Sequence, residues 1–278
     1  MTPFAPWLPD IVQFNPAVSA DARNVIPPSA TGFKPWPSFT SVSDALTERA
    51  QGAYTARGLT ATIFNFAGDA TKLYKVGTTG LTFSDVSRTV GGAYATSPDG
   101  WWQFTTFGDY VIACNLADAT QVFQLSSSTN FAALGGSPPI AAFTGTIRDF
   151  VVLARTSTNY NRIQWSGIND TTAWTPSATT MSDYQDFPDG GIIKGFVGGE
   201  FGVVLQERAI QRMAFEGPPT IFRFDKISNT LGCQIEGSVA SYENLVFFKA
   251  HDGMYMLRGG SELVPIGTEK IDRWLNSR

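Results

Sequence analysis

Catalytic chemistry has few candidate residues in this chain of 278 residues. The sequence contains one histidine, His251, which stands immediately before Asp252 and Gly253. A histidine that acts as a general base needs a nucleophilic serine or cysteine within hydrogen-bond reach and a third group that orients the ring. No such set can be assembled around His251, and Asp-Gly is a turn signal. The sequence therefore predicts a turn residue here, no catalytic residues, and a protein that is not an enzyme.

Three aspartates at intervals of three residues, Asp183, Asp186 and Asp189, are the next candidates for chemistry. Clustered carboxylate oxygens suit Ca²⁺, which prefers hard oxygen ligands. The segment lacks the alternating ligand positions and the terminal glutamate of an EF-hand loop. Two interpretations stay open, a Ca²⁺ loop and an exposed acidic loop, and the spacing favours the acidic loop.

Cysteines and glycines offer no cofactor or metal site in the sequence. Cys114 and Cys233 are too far apart for a zinc motif, and two cysteines make no disulfide framework, so we expect two buried thiols. The paired glycines at 190–191, 198–199 and 259–260 lack the Lys-Ser/Thr ending of a phosphate-binding loop. We therefore expect no metal and no cofactor.

A repeated octet organises the chain. Residues 69–76 (DATKLYKV) return in class at nearly every position as residues 118–125 (DATQVFQL). Weaker echoes follow at intervals of 41 to 49 residues. The equivalent positions are Leu73, Val122, Ile163, Ile210 and Met254. A period of this length is typical of propeller blades rather than of a catalytic motif.

Composition and turn signals predict that each repeat is built from β-strands. Charged residues make up only 16% of the chain, whereas it has 27 glycines and 21 phenylalanines, which suits short strands joined by tight turns. Each repeat contains an apolar hairpin that cannot bury its own face unless neighbours stack on it. We predict an all-β fold, a β-propeller of about five to six blades. A β-sandwich is the alternative, but it does not explain the repeat.

Local patterns predict individual elements. The first hairpin should use residues 60–66 and 71–76, and the fifth should turn at Asp252 and Gly253. A capping serine and good helix formers predict a short connector over residues 43–50, either a helix or a turn. A closing helix is expected over residues 268–275.

The first 40 residues have a composition of their own. They hold half of the 16 prolines, interleaved with aromatic residues, and this density excludes regular helix and central strand. We predict an extended N-terminal arm over residues 1–40 and a propeller domain with a short C-terminal helix over residues 41–278. The arm could lie on a neighbouring subunit or strap its own domain. The candidates for subunit contact are Phe4, Trp7, Phe14, Phe33 and Trp36.

The charge balance limits the partners. A net charge of −4 and a pI near 5.0 provide no basic field for phosphates, so sequence-independent binding of nucleic acid is not expected. DNA could still pass through a lumen that does not bind it. The N-terminus does not resemble a secretory signal, and no stretch reaches the length of a membrane span. We therefore expect a soluble protein made in the cytoplasm.

Several short segments taken together resemble virion proteins of tailed bacteriophages, of the tail nozzle or tail tubular protein B kind found in short-tailed phages. The segments are Asn24-Val25-Ile26-Pro27 with Gly32-Phe33-Lys34-Pro35; Leu73-Tyr74; Arg162-Ile163-Gln164-Trp165-Ser166-Gly167-Ile168 with Trp174; Ile210-Gln211-Arg212-Met213 with Gly217-Pro218-Pro219; and Asp252-Gly253-Met254-Tyr255 before Pro265-Ile266-Gly267-Thr268-Glu269-Lys270-Ile271-Asp272-Arg273. They extend over nearly the whole chain.

The resemblance implies a structural protein of the phage tail. In that family β-propeller protomers form a ring, usually sixfold, below the portal and adaptor, and the ring encloses the channel through which DNA leaves. The chain is shorter than the large nozzle proteins. The alternative function is a carbohydrate-binding or glycan-cleaving β-propeller, whose site would combine exposed aromatic rings with the aspartates at 183–189. A scaffold propeller outside any virus is the third interpretation.

Overall fold

A computed structural model describes residues 6–11, 17–19, 21–29, 32–77 and 80–277. The described residues are almost entirely β-strands and turns. In chain order the strands are β1 (Val25–Ser29), β2 (Gly32–Pro35), β3 (Gly52–Arg57), β4 (Ile63–Gly68), β5 (Leu73–Val76), β6 (Phe83–Asp85), β7 (Gln103–Phe107), β8 (Tyr110–Cys114), β9 (Gln121–Gln124), β10 (Ala132–Ala133), β11 (Ala141–Ile147), β12 (Phe150–Thr156), β13 (Arg162–Trp165), β14 (Asp183–Asp186), β15 (Ile193–Val197), β16 (Gly202–Gln206), β17 (Ile210–Gly217), β18 (Ile221–Ser228), β19 (Ala240–Tyr242), β20 (Leu245–Lys249), β21 (Met254–Arg258) and β22 (Glu262–Pro265). Two 3-10 turns (Pro9–Ile11 and Glu236–Ser238) and one short α-helix, α1 (Asp272–Asn276), complete the elements.

The strands form five antiparallel four-stranded sheets in strict sequence order, here called blades 1 to 5, and β1 pairs with β2 in a separate hairpin. Residues 42–232 make one compact unit, which contains blades 1 to 4. Residues 1–41 and 233–278 make a second unit, which contains blade 5 and the β1–β2 hairpin. Repeated four-stranded meanders of this kind are propeller blades. The predicted all-β fold, a β-propeller of about five to six blades, is confirmed.

The sequence repeat coincides with one structural position. Leu73 begins β5, Val122 and Ile163 lie second in β9 and β13, and Ile210 and Met254 begin β17 and β21. Each of these strands is the third of its blade. The spacing of these residues in the sequence therefore corresponds to the distance along the chain from one blade to the next.

Within residues 42–232, consecutive first strands contact one another. The Tyr54 hydroxyl and Thr106 Oγ1 are 2.9 Å apart, which links β3 to β7. Thr105 and Thr146 join β7 to β11 through hydroxyls 3.0 Å apart. Just after β15, the Gly199 N–H donates to the Thr146 carbonyl at 2.9 Å. The first strand is therefore the innermost strand of each of these blades.

Aromatic side chains fill the space between neighbouring blades. Between blades 1 and 2, the rings of Phe66, Phe123 and Phe131 are fully buried, with centroids 5.1 to 5.5 Å apart. A second cluster surrounds Phe150 and Phe222, whose centroids are 5.1 Å apart. Edge-to-face rings at these distances bury large apolar areas with specific geometry. The numerous phenylalanines are mainly core residues.

Residues 43–50 do not form the predicted helix. The Glu48 N–H donates to Asp69 Oδ2 at 3.1 Å, and the Thr47 N–H donates to the Tyr74 hydroxyl at 3.3 Å. These side chains take backbone donors that a helix would use for its own ladder. Of the two predicted alternatives for this connector, the helix was therefore wrong: the segment is irregular and contains bends. The strand β3, which follows it, was not predicted.

The C-terminal helix is shorter than predicted. The Gly267 carbonyl accepts the N–H groups of Lys270 and Ile271, both at 3.0 Å, so the segment begins as a turn. Only α1 follows, and Asp272 at its start accepts the Met254 N–H at 2.9 Å. None of the helices in the described residues has the length and apolar character to cross a bilayer.

Candidate functional site

The five predicted contact residues of the arm have different environments. Phe4 and Phe14 lie outside the described residues. Trp7 and Phe33 are half-buried, and Trp36 is 51% exposed. The arm thus has an anchored part and an exposed part, and the two parts correspond to the two interpretations that the sequence left open.

The anchored part lies on the chain's own C-terminal segment. The rings of Trp7 and Trp274 meet edge to face, with centroids 5.3 Å apart. The Asp10 carboxylate accepts the N–H groups of Arg273 and Trp274, both at 2.9 Å. A carboxylate in this position satisfies amides at the start of a helix that have no partner within the helix. Residues 7–10 therefore strap the end of their own chain.

The exposed part is the aromatic segment, residues 35–39. Its first ring follows β2, where the Trp36 N–H donates to the Asn24 carbonyl at 2.8 Å. Phe39, which was not among the predicted contacts, is 85% exposed, and its ring lies 5.9 Å from that of Trp36. Prolines at positions 35 and 37 fix the backbone dihedral φ there and remove two N–H donors. The segment therefore presents a pair of rings on a stiff backbone.

The repeated octets supply structural anchors. Asp69 is fully buried, and its Oδ1 accepts the N–H groups of Thr71 and Lys72 at 2.8 and 2.7 Å. Its Oδ2 accepts the Tyr74 hydroxyl at 2.8 Å and the Glu48 N–H. Burial alone would raise the pKa of Asp69, but these hydrogen bonds outweigh burial and lower the pKa below its usual value. The carboxylate fixes the turn between β4 and β5 to the segment that precedes β3.

The second octet repeats this role with other partners. Asp118 accepts Arg88 Nη2 and the Ala95 N–H, both at 2.8 Å. Arg88 and Ala95 precede β7, so this aspartate again holds the segment before the first strand of its blade. In blade 4 the Gln206 amide does the same, since it donates to the carbonyls of Asp189 and Gly191. What recurs at this turn is an anchor and not a reactive group.

The three candidate aspartates do not form a loop that converges on one point. Asp183 and Asp186 bound β14, which pairs with β13, so the predicted acidic loop was wrong for these residues. Asp186 accepts two hydrogen bonds from Arg162, at 2.7 and 2.8 Å, and they lower the pKa of Asp186. Asp189 lies 3.8 Å from the Lys226 ammonium. In the described part of the chain, no three acidic, histidine or cysteine side chains are grouped to hold a metal ion.

A shallow cleft of about 260 Å³ lies beside these aspartates. Its lining consists of Gln185, Asp186, Phe187, Pro188, Asp189, Gln211, Phe224 and Lys226. The nearby Tyr184 ring is 41% exposed, but the Arg162 guanidinium lies 3.8 Å from its centroid. Tyr184 is not part of the lining, and both carboxylates of the cleft, Asp186 and Asp189, already have cationic partners. The geometry thus gives the carbohydrate interpretation no specific support.

The remaining candidates have structural positions. His251 is exposed at the turn before β21, as predicted. Cys114 and Cys233 are both buried thiols, as predicted, and burial raises the pKa of the Cys114 thiol far above its usual value. A thiol in this environment is inert.

Sequence reasoning missed one group of exposed residues. Leu59, Ile63 and Leu81 lie in or next to turns of blade 1 and are 80%, 49% and 44% exposed. The signal was present in the sequence, because residues 58–63 (GLTATI) and 80–82 (GLT) contain no charged residue. Turns between strands are normally polar.

No family model and no curated protein matches this sequence. Among solved structures, the extracellular domain of BT4673 from B. thetaiotaomicron superposes with a TM-score of 0.53 at 8% identity, covering 86% of this chain and 32% of that one. The likeness shows the fold alone. This chain spans about a third of that domain's length. BamB from Moraxella catarrhalis (TM-score 0.47, 11% identity, 82% of this chain and 65% of that one) and the Neurospora crassa Pan2 WD40 domain (TM-score 0.46, 8% identity, 70% and 58%) are more distant.

Proposed function

We propose that this protein is a structural component of a bacteriophage tail that assembles with copies of itself into a ring around the DNA exit channel. The observation that carries the proposal is the exposed ring pair of Trp36 and Phe39, at 51% and 85%. Aromatic residues are enriched in the cores of protein interfaces. The resemblance to tail nozzle proteins suggests that this contact is made between subunits of a ring in the phage tail.

The surface charges support a channel that DNA passes without binding. Arg88 pairs with Asp118, Arg162 with Asp186, Arg212 with Asp225, Arg223 with Glu216, and Arg258 with Glu262. Arginines that are neutralised in this way do not form the basic stripe that holds a phosphate backbone. A net charge of −4 is consistent with a lumen that DNA leaves easily.

The proposal assigns this protein to the virion, next to the portal, the adaptor or other tail proteins, and gives it no catalytic role. The resemblance suggests six subunits in the ring. A heterologous contact, in which one surface of a subunit meets a different surface of the next, closes into such a ring when the rotation between copies is right. The exposed arm and a separate receiving surface are the two halves that a contact of this kind needs.

Assembly of the full chain tests the proposal. The variant carrying Trp36→Ser and Phe39→Ser changes only exposed side chains, whereas deletion of the arm would also remove the hydrogen bonds of Asp10 to α1. Tyr242→Ser, at a residue 67% exposed, is the matched control. Mass photometry and electron microscopy should find rings for the wild type and the control and monomers for the double variant. A wild type that stays monomeric at every concentration and is absent from purified particles would refute the proposal.

A further inference from the structure

One end of blade 1 presents exposed apolar side chains. The antiparallel order places the β3–β4 turn and the β5–β6 turn at the same end of the sheet, because Arg57 pairs with Ile63 and Val76 pairs with Phe83. We call residues 58–63 and 80–82 the blade 1 tip. Leu59 is 80% exposed there.

Both turns of the blade 1 tip hold their backbone in an uncommon conformation. Ala61 and Leu81 have positive φ angles of 64° and 48°. Residues other than glycine seldom adopt such angles. The Gly58 N–H donates to the Thr62 carbonyl at 2.8 Å, and the Gly77 N–H donates to the Thr82 carbonyl at 2.8 Å. The β3–β4 turn is therefore a closed, hydrogen-bonded turn in which Leu59 is exposed.

The corresponding ends of the other blades have a different chemistry. Their turns begin with Gly108 and Asp109 in blade 2, Arg148 and Asp149 in blade 3, and Glu243 and Asn244 in blade 5; in blade 4 they contain Gly199 and the prolines at 218–219. Among the described residues, no exposed leucine, isoleucine or valine lies in these turns. The exposed large side chains nearest to these ends, Tyr184 and Tyr242, are tyrosines with a polar hydroxyl. The apolar tip is thus a property of blade 1 and not of the repeat.

Charged residues lie at the edge of the blade 1 tip. The Phe83 N–H, at the start of β6, donates to Asp44 Oδ1 at 2.9 Å. Asp44 therefore lies at the tip end of the sheet. Arg57, the last residue of β3, is exposed next to Gly58. The apolar side chains of the tip are thus bordered by an acidic and a basic residue.

We propose that the blade 1 tip binds the aromatic segment, residues 35–39, of a second copy of this chain. This inference rests on the proposed function and names the surface that receives the arm. Trp36 and Phe39 are exposed in one compact unit of the chain, and Leu59 and Leu81 are exposed in the other, so each unit leaves its own apolar side chains uncovered. One ring pair and one tip per chain give the one-to-one ratio that a head-to-tail contact between copies requires.

Charge and size both favour this occupant. Residues 35–39 (PWPSF), 58–63 and 80–82 contain no charged residue, so the two contacting segments themselves place no ion in the interface. Two aromatic side chains bury roughly 150–250 Å² each, which is well below the roughly 800 Å² per partner of a stable standard interface. A single contact of this size is too small to hold an isolated pair. It fits a closed ring, where every copy makes two such contacts.

Photochemical cross-linking in the full chain tests the pairing. Phe39 is replaced by p-benzoylphenylalanine, and this protein is mixed with ¹⁵N-labelled wild type before irradiation, so that mass spectrometry separates links between copies from links within one copy. The expected product joins position 39 of one copy to residues 58–63 or 80–82 of another. The same probe at position 242 is the control and should not label the tip.

Substitution at the receiving surface gives a second measurement. Leu59→Ser with Leu81→Ser should raise the concentration for half-assembly by about 10-fold or more, since both side chains lose the apolar area that they would bury in the contact. Val90→Ser, at a residue 84% exposed elsewhere in the same unit, is the matched control and should assemble normally.

The outcomes separate this inference from the proposed function. Rings that form through the arm but cross-link position 39 to another surface, or that tolerate the double serine variant, would overturn the inference and leave the proposed function intact. A wild type that forms no assembly would overturn both. Links from position 39 to the tip between copies, together with weakened assembly of the double serine variant, would support the inference.

Discussion

The two ends of blade 1 differ in the environment of their side chains: one end has a buried, hydrogen-bonded carboxylate and the other has exposed leucines. At the base, the end where β4 turns into β5, Asp69 is fully buried and its carboxylate accepts hydrogen bonds from four residues. At the tip, Leu59 and Leu81 are 80% and 44% exposed. A saturated polar anchor stabilises the chain that contains it. An uncovered apolar surface of defined shape is typical of a site that another molecule covers. We therefore expect substitutions at the base to change the stability of the monomer and substitutions at the tip to change the contact between copies.

The largest expected effect on stability is at Trp102, whose indole packs against the β4–β5 end of blade 1. The Trp102 indole is 3% exposed, donates to the Asp69 carbonyl at 2.8 Å, and lies so close to Gly68 that a Cβ there would come within 2.3 Å of the ring. Trp102→Ala should lower the free energy of unfolding by about 3–5 kcal/mol, because it leaves a cavity and a carbonyl without its donor. Urea titration measures the loss.

The adjacent tryptophan provides the control for that measurement. Trp101 is 37% exposed, and Trp101→Ala should change the free energy of unfolding by much less than Trp102→Ala. Equal losses at the two positions would contradict the assignment of the base as the stabilising end.

The next largest effect on the free energy of unfolding is expected for the Asp69 carboxylate. Asp69→Asn keeps one oxygen for the N–H groups of Thr71 and Lys72 but replaces the oxygen that accepts the Tyr74 hydroxyl and the Glu48 N–H. We expect a loss of about 1–3 kcal/mol in the free energy of unfolding, since a buried donor loses its acceptor. Thermal unfolding followed by circular dichroism checks this value. Asp99→Asn, at an exposed residue of the same unit, should have no measurable effect.

Low pH should remove the contribution of the Asp69 carboxylate to the free energy of unfolding. The hydrogen bonds lower the pKa of Asp69 in the folded protein, so its stabilisation is fully present above the unfolded value of about 3.9 and is lost as the pH falls through the lower folded value. The difference in unfolding free energy between wild type and Asp69→Asn should be constant from pH 7 to 5 and shrink below about pH 4. A difference that grew on acidification would show that the charged form is not the stabilising one.

The sequence predicted the strands at the β4–β5 end of blade 1, but it did not predict which residues bond to the Asp69 turn. The octet containing Asp69 and the spacing of Leu73 and Val122 located the third strands, because strand alternation and repeat length are local properties. The segment over residues 43–50 was predicted to be a helix or a turn on propensity alone. Its true partners, Tyr74 and Asp69, are more than 20 residues away. A contact of that range overrides propensity and cannot be read from a local window.

The aspartates of β14 illustrate the same limit at the proposed carbohydrate site. The run containing Asp183 and Asp186 looked like a polar loop because strands are depleted in aspartate. The register with β13 places Arg162 opposite Asp186, and the bidentate ion pair makes the acidic residue compatible with an edge strand. Only the pairing of distant strands could reveal that partner.

The smallest expected effect is at the tip and concerns stability. Leu59→Ser with Leu81→Ser should change the free energy of unfolding of the monomer by no more than about 0.5 kcal/mol, because surface substitutions away from caps, cores and networks rarely do more. Urea titration below the assembly concentration measures the monomer alone. The double serine variant should therefore unfold like the wild type, in contrast to Asp69→Asn at the base. A large loss of monomer stability would show that the two leucines pack within the chain, and the contrast between the two ends of blade 1 would disappear.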